Sequence, residues 1–171
     1  PSLEPKLIPM NVATRPGMGT SKGIYYIKKY INHLKMKHDK FYILKCDISK
    51  YFYSIDHEVL FEKVKKVIHD PDVLNLLWKI ICSTDEDYIY RQIQSLVSKE
   101  ISRLKRKNMD LSYRIKELES LPYYVKGKGL PIGNMTSQIL AIYYLNDLDH
   151  FIKEKLHIKC YVRYMDDFVL M

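Results

Sequence analysis

Two aspartate sites at the ends of short apolar segments constrain the fold of this chain more than any other feature. Residues 41–48 are rich in aromatic and branched side chains, which predicts a buried β-strand that ends at Asp47. Residues 158–164 and 168–171 predict two more strands, with Asp166 and Asp167 in the turn between them. We therefore expect a sheet that brings both aspartate sites together.

The aspartates predict a metal site at this sheet. Adjacent carboxylates repel each other and are costly at sheet ends, and hard cations such as Mg²⁺ relieve that cost. An Asp-Asp pair alone is also typical of an ordinary turn. The Tyr-Met-Asp-Asp context, with an apolar strand after it and Asp47 upstream, favours the metal site. Two ions about 3.5–4 Å apart would stabilise the attacking and leaving oxygens of a phosphoryl transfer.

The charge of the chain indicates a polyanionic partner. Lys and Arg outnumber Asp and Glu by 28 to 20, which gives a formal net charge of +8. Such an excess is typical of nucleic-acid-binding proteins, although a merely soluble basic domain would also show it. The 15 tyrosines could stack on bases, but most tyrosines in proteins are half-buried packing residues.

Other sequence features predict a cytoplasmic protein without a membrane partner. No apolar run approaches the roughly 20 residues of a membrane-spanning helix, and the N-terminus does not resemble a signal peptide. The cysteines at 46, 82 and 160 are odd in number, far apart and never in a C-x-x-C pair. They fit a reducing compartment and predict neither a disulfide nor a zinc framework.

Apolar residues at helical spacing predict the remaining elements. A basic, glycine-punctuated loop over residues 15–23 leads into a helix that Thr20 or Ser21 could cap. Residues 83–90 are acidic and read as irregular. The other predicted helices are 56–69 and 70–82, which begin at the N-caps Asp56 and Asp70, and about 134–156.

Residues 91–120 predict one long basic helix with a heptad stripe. A single polar Asn occupies one position of the stripe, a pattern that favours a two-stranded parallel coiled coil and hence a homodimer. The alternative is that the stripe packs on its own domain. The stripe consists of Val97, Ile101, Leu104, Asn108, Leu111, Ile115 and Leu118.

Three ordered blocks resemble the catalytic blocks of bacterial reverse transcriptases. They are KCDISKYFYSIDH (45–57), GLPIGNMTSQILAIYYLNDLDHFI (129–152) and YVRYMDDFVLM (161–171). With RPGMGTSKGI (15–24), the resemblance covers most of the chain outside residues 83–122. Group II intron enzymes carry a Gln-Gly…Ser-Pro version of the middle block. IGNMTSQ is more similar to the reverse transcriptases of diversity-generating retroelements.

The resemblance implies an α+β fold with the fingers and palm of a right-hand polymerase. The palm would contain a ferredoxin-like split β-α-β core, with the long heptad helix as an insertion. The thumb would be absent and the last strand cut at Met171, so we expect little activity from this fragment alone. The expected units are 1–40 (fingers), 41–90 (palm with Asp47), 91–122 (inserted helix) and 123–171 (palm with the YMDD hairpin).

The resemblance also implies roles for individual residues. The three aspartates would hold two Mg²⁺ ions, for which Mn²⁺ is an alternative, and the Ile48 backbone carbonyl would assist. Phe52, five residues beyond Asp47, would act as a sugar gate. A bulky ring there collides with a ribose 2′-OH and so selects deoxynucleotides. The alternative is that Phe52 is a core residue.

Other residues are expected to contact nucleotide or nucleic acid. Ile132 replaces the Gln of group II intron enzymes, and the lost hydrogen-bonding side chain would loosen base-pair checking. Arg15 and Lys22 are candidate triphosphate contacts, because a Gly-rich loop before a helix suits phosphate; an ordinary capped helix start is the alternative. The pocket residues would be Ile132, Gly133, Asn134 and Gln138, and the nucleic-acid contacts Tyr164, Met165, Lys126 and Lys128.

The function implied is that of an RNA-directed DNA polymerase. Its partners would be an RNA template, a DNA or RNA primer and a dNTP. Two other classes remain open: a catalytically silent RNA-binding scaffold, dimerised through residues 97–118, and a two-metal nuclease. Neither has a use for a sugar gate, so an intact gate argues against both. A phage-defence polymerase of the same fold is an alternative within the family.

Overall fold

The computed structural model describes residues 3–106, 111–119 and 125–171, without the side chains of Ile89 and Tyr90. The fold is α+β, with many helices and a small sheet. No helix of the described ranges is long and apolar enough to cross a membrane. The α-helices are α1 (Thr20–Lys37), α2 (Tyr51–Ser54), α3 (His57–Lys65), α4 (Pro71–Ile81), α5 (Asp87–Lys105), α6 (Ser112–Glu119), α7 (Met135–Tyr144) and α8 (Asn146–His150).

Three strands form an antiparallel sheet in the described part of the chain: β1 (Leu44–Cys46), β2 (Tyr161–Tyr164) and β3 (Asp167–Leu170). β3 lies between the other two and pairs with both. The hairpin turn is Met165–Asp166, so Asp167 is the first residue of β3 rather than part of the turn. Met165 takes a left-handed backbone with φ 56°, as a two-residue hairpin turn requires of one of its residues.

The first strand is shorter and more exposed than the sequence predicts. β1 covers three residues of the predicted 41–48, and its Leu44 and Lys45 are exposed. The reason is topological: β1 pairs only with β3, so it is an edge strand among the described residues. The prediction that this strand is buried was therefore wrong. The prediction that Asp47 lies at the end of a strand was right.

Side-chain caps confirm most of the predicted helix starts. Asp56 accepts from the backbone of Val59, and Asp70 accepts from two backbone N–H groups at the start of α4. Neither Thr20 nor Ser21 caps α1. Its N-cap is Gly19, whose φ of 129° few side chains tolerate, and no side chain donates or accepts there.

Helices α3, α4 and α7 contribute side chains to the main hydrophobic core. α3 contacts both α4 and α7, and α1 contacts β2. Gly23 permits the close approach of α1, because a Cβ there would lie 3.3 Å from a methyl group of Val12. The buried side chains of the main core are Leu3, Tyr51, Ile55, Leu60, Val64, Ile81, Leu130, Leu140, Ala141 and Tyr143.

The predicted long helix over 91–120 is wrong, because two helices occupy this segment. α5 begins at Asp87, inside the predicted irregular stretch, and a 3₁₀ turn (Cys82–Asp85) precedes it. Arg106 and Leu111 are not helical, and α5 and α6 contact each other. Asn108 lies outside the described residues. Because α5 and α6 meet, one chain can cover the apolar stripe by itself, and Leu104 is buried. The homodimer stays a prediction without a continuous seam to carry it.

Candidate active site

The sheet brings the three predicted metal-binding aspartates to one end. Cys46 pairs with Phe168 at the end of β1, so Asp47 and Asp167 are the residues next to this last pair. Asp166 lies beside them in the hairpin turn. Partial burial raises the pKa of Asp166 above its ordinary value, and the charges of Asp47 and Asp167 raise it further. Asp166 therefore lies close enough to both other aspartates to be influenced by their charges, and we call these three residues the carboxylate cluster.

The carboxylate cluster fits hard divalent cations. Lys45 lies 3.6 Å from Asp167, but both side chains are exposed, and such a surface pair compensates little charge. Clustered carboxylate oxygens without sulfur or nitrogen donors are what Mg²⁺ prefers. The donor set and the repulsion of Asp166 by Asp47 and Asp167, which a backbone hydrogen bond and the Arg163 charge offset in part, both suit cation binding at this end of the sheet.

A buried ion pair supports the aspartate turn from below. Arg163 and Asp149 are both fully buried, with 0% side-chain exposure. Arg163 donates two parallel hydrogen bonds to the Asp149 carboxylate, at 2.7 and 2.6 Å. It also donates to the backbone carbonyls of Met165 at 2.6 Å and Ile142 at 3.0 Å. The Tyr161 hydroxyl donates to Asp149 at 2.6 Å. One guanidinium thus ties the turn to β2 and to α7.

Sequence reasoning missed this ion pair, although one signal was present. Arg163 lies in a mostly apolar predicted strand, two residues before the turn and directly after Val162. A charged residue at a buried strand position needs a partner of opposite charge. Asp149 sits in the predicted helix of the preceding block and was available for that role.

Phe52 lies in α2, which follows β1 after a connection of four residues. It is half-buried and packs against the main core, and its ring lies 5.8 Å from that of Tyr51 in an edge-to-face arrangement. The Tyr51 hydroxyl donates to the carbonyl of Ala141 at 2.5 Å. Leu130 donates its backbone N–H to the Phe52 carbonyl at 2.8 Å. The α2 turn is thereby fixed to α7 and to the start of the middle block.

The comparisons with known proteins agree with this geometry. A family model described as "Reverse transcriptase (RNA-dependent DNA polymerase)" matches residues 3–171. This chain belongs to the reverse transcriptase family. None of the curated proteins compared with the chain matches it. The family is one of nucleotidyltransferases that use a nucleic-acid template and primer, nucleotides and divalent metal ions.

In this reverse transcriptase the middle block has one residue already committed to structure. The Asn134 side chain accepts from the backbone N–H of Ser137 at 2.6 Å and caps α7. Gly133 has a φ of 113°, and Gln138 is half-buried. Ile132 is 60% exposed, so its apolar side chain is open to a bound partner. The contact of Leu130 with Phe52 brings this block to the α2 turn.

The two fingers candidates differ in how free they are. Arg15 donates to the backbone carbonyls of Ile8 and Asn11, both at 2.9 Å, and lies 3.5 Å from Glu4. Its guanidinium therefore organises the N-terminal segment. Lys22 is half-buried, with its ammonium 5.4 Å from the ring centre of Tyr25. Of the two, only Lys22 has a charge without a carbonyl or carboxylate partner in the described part of the chain.

The remaining predicted nucleic-acid contacts lie on the surface or at the turn. Tyr164 is exposed at the end of β2, and Met165 is half-buried in the turn next to Asp166. Lys126 and Lys128 are exposed on the connector before the middle block. The backbone of Lys128 forms an isolated β-bridge with the backbone of Asp56. Within the described ranges, neither lysine forms an ion pair with the three carboxylates. Tyr164 and Met165 thus adjoin the carboxylate cluster in sequence and in the hairpin.

Proposed function

We propose that this reverse transcriptase adds dNTPs to a primer 3′-hydroxyl on an RNA template, with Asp47, Asp166 and Asp167 holding two Mg²⁺ ions. The observation that carries the proposal is the convergence of the three carboxylates at one end of the β1–β3 pair. The Ile48 carbonyl, directly after Asp47, is an additional oxygen donor for the metals. When bound, two such ions stabilise the attacking and leaving oxygens of an in-line phosphoryl displacement.

The strand order supports a ferredoxin-like palm. In a split β-α-β unit, the first strand is followed by helical structure and by a hairpin whose second strand pairs with the first. Here α2 to α8 separate β1 from the β2–β3 hairpin, and β3 lies between β1 and β2. Such a palm would present the strand end and the hairpin turn to the same primer terminus.

In the proposed reaction, the primer 3′-oxygen forms a bond to the α-phosphorus of the dNTP as pyrophosphate leaves. The chain contributes mainly position and charge, which dominate catalysis of phosphoryl transfer. Arg163 fixes the turn through the Met165 carbonyl, so the backbone next to Asp166 is already ordered before substrate binds. The basic surface, including Lys22, would contact template and primer phosphates, and binding would weaken steeply with salt.

Primer extension by the full-length protein tests this function. With an RNA template, a DNA primer and Mg²⁺, we expect template-dependent dNTP incorporation that EDTA abolishes and added Mg²⁺ restores. Template–primer binding is measured in parallel by fluorescence anisotropy. A folded protein that binds template–primer but never extends it would contradict the polymerase assignment and favour an RNA-binding scaffold.

Phe52 supports the selection of deoxynucleotides by this enzyme. Its ring is only half-buried, and α2 is anchored on both sides of it, so the ring has a fixed position and an open face. We expect Phe52→Ala to raise rNTP incorporation relative to dNTP by about 10–100-fold, because a contact with one substrate group is worth about 1–3 kcal/mol. The measurement is kcat/KM for dCTP and CTP opposite the same template base.

The control for the gate is Phe61→Ala, which removes a ring that packs against the same core. It separates a specific gate from general loosening of the palm. If Phe52→Ala lowers incorporation of both nucleotides equally, as Phe61→Ala is expected to do, then Phe52 is a core residue and not a gate.

The middle block supports a subfamily. IGNMTSQ is similar to the block of diversity-generating retroelement enzymes, and the exposed Ile132 offers no hydrogen bond to a base pair. We propose that this enzyme belongs with them and copies its template with low fidelity. Sequencing of extension products tests this: Ile132→Gln is expected to lower the substitution frequency relative to the unaltered enzyme.

A further inference from the structure

A second group of potential metal ligands lies outside the carboxylate site. It consists of His57 at the start of α3, and of Cys82 and Asp85 in the 3₁₀ turn before α5. One potential ligand atom from each residue lies within 4.8 Å of the other two. His57 and the Cys82–Asp85 turn are distant in sequence, and both contact a third segment, the connector at Gly127–Gly129.

The His57 ring presents an unpartnered nitrogen to this cluster. The residue is 1% exposed, and its Nε2 lies 2.5 Å from the Gly129 carbonyl oxygen. Since a carbonyl only accepts, Nε2 carries a proton, and in the neutral ring Nδ1 is then a bare acceptor. Nδ1 has no hydrogen-bond partner, yet it lies 3.4 Å from the Asp85 carboxylate. A positive charge between these two atoms, carried by a proton on Nδ1 or by a bound cation, would satisfy both of them.

The other groups around the cluster orient its ligands. Asp85 Oδ1 accepts from the backbone N–H of Gly127 at 2.9 Å, which leaves Oδ2 directed toward His57. His57 is held by its Nε2 contact and by its own N–H, which donates to the Gly127 carbonyl at 3.0 Å. A histidine whose far nitrogen donates to a backbone carbonyl is the usual arrangement of a metal-ligating imidazole.

The separation of His57 from Asp85 and the chemistry of all three side chains favour a zinc-like ion. Two ligand bonds of about 2.1 Å at a tetrahedral angle place their donor atoms about 3.4 Å apart. That is the separation of His57 Nδ1 and Asp85 Oδ2. A thiolate and an imidazole are ligands that zinc takes readily and Mg²⁺ does not. The cluster therefore differs in metal preference from the all-oxygen carboxylate site.

We propose that His57 Nδ1, Cys82 Sγ and Asp85 Oδ2 bind one Zn²⁺ ion, with water in the fourth position. The bound ion would link the start of α3 to the 3₁₀ turn that precedes α5. Both lie next to the connector that leads into the middle block. Cys82 is far in sequence from the other two cysteines, so no C-x-x-C pattern indicates this site. The fold, not a sequence motif, assembles it.

Cobalt and zinc titrations of the full-length protein, purified without a histidine tag and in excess Mg²⁺, test the site. Cobalt bound by a thiolate in tetrahedral geometry gives a charge-transfer band and strong visible absorption. We expect one equivalent of such cobalt, displaced by zinc. Cys82→Ser is expected to abolish the charge-transfer band and to weaken zinc binding at least about a hundredfold, and Asp85→Asn about 10–100-fold. Cys46→Ser and Cys160→Ser are the matched controls and are expected to keep the band.

Alkylation of the unaltered protein gives a measurement that needs no variant. Zinc is expected to protect Cys82, and not Cys46, from iodoacetamide, as read by mass spectrometry. Absence of the thiolate band, equal zinc binding by Cys82→Ser and the unaltered protein, or alkylation of Cys82 at the same rate with and without zinc would each overturn the proposal. Asp166→Asn is expected to bind zinc normally, so the result does not depend on polymerase activity.

Discussion

Asp149→Ala is expected to destabilise the protein by about 3–5 kcal/mol, because it leaves a buried guanidinium without its counter-charge. Asp149 and Arg163 are both fully buried, and two charge-assisted hydrogen bonds join them. The Tyr161 hydroxyl would lose its acceptor as well. The loss should therefore exceed that of an ordinary large-to-small substitution at the surface by a wide margin.

Urea unfolding of the variants measures this effect, and the chain offers a close control. Asp147 lies two residues away in the same helix and pairs with Lys63 at 2.7 Å, but its side chain is 75% exposed. Asp147→Ala is expected to cost less than about 1 kcal/mol. Equal losses in the two variants would contradict a buried ion pair. The double variant Asp149→Leu/Arg163→Met should recover part of the loss, since it leaves no unpaired buried charge, while the Tyr161 hydroxyl and the Met165 and Ile142 carbonyls still lose their partners.

Much of the carboxylate site was predictable because its signals are local. A strand ends where apolar residues give way to Asp47, and a two-residue turn between apolar strands contains Asp166. The caps at Asp56 and Asp70 depend only on a short polar side chain next to a helical pattern. The match of the family model over residues 3–171 confirms the family that the ordered motifs suggested.

The parts that were missed depend on contacts between distant residues. The apolar stripe over 97–118 has the same period whether it is covered by a second chain or by its own other half, and the contact of α5 with α6 could not be read from that period. Arg163 gives no periodic signal, because its partner lies in another element. His57, Cys82 and Asp85 come together only through the connector at Gly127–Gly129.

Asp166→Asn is expected to lower dNTP incorporation by about 10²–10³-fold, and Asp47→Asn by a similar factor. Metal-ion stabilisation of the transition state is worth several kcal/mol, and each ~1.36 kcal/mol is a tenfold change in rate. Asparagine keeps the volume of the side chain but removes the charge that holds a cation. Primer extension under single-turnover conditions measures the loss, with the exposed Asp72→Asn in α4 as the control that should retain full activity.

The same variant separates a catalytic defect from a folding defect. Burial and the charges of Asp47 and Asp167 raise the pKa of Asp166, so its ionised form is less stable in the folded chain than in the unfolded one. At neutral pH without divalent cations, Asp166→Asn should therefore unfold at the same temperature as the unaltered protein or a higher one. Template–primer binding should also persist, because the substitution removes a negative charge. A variant that is equally stable, binds template–primer and still extends at the normal rate would refute metal binding by Asp166.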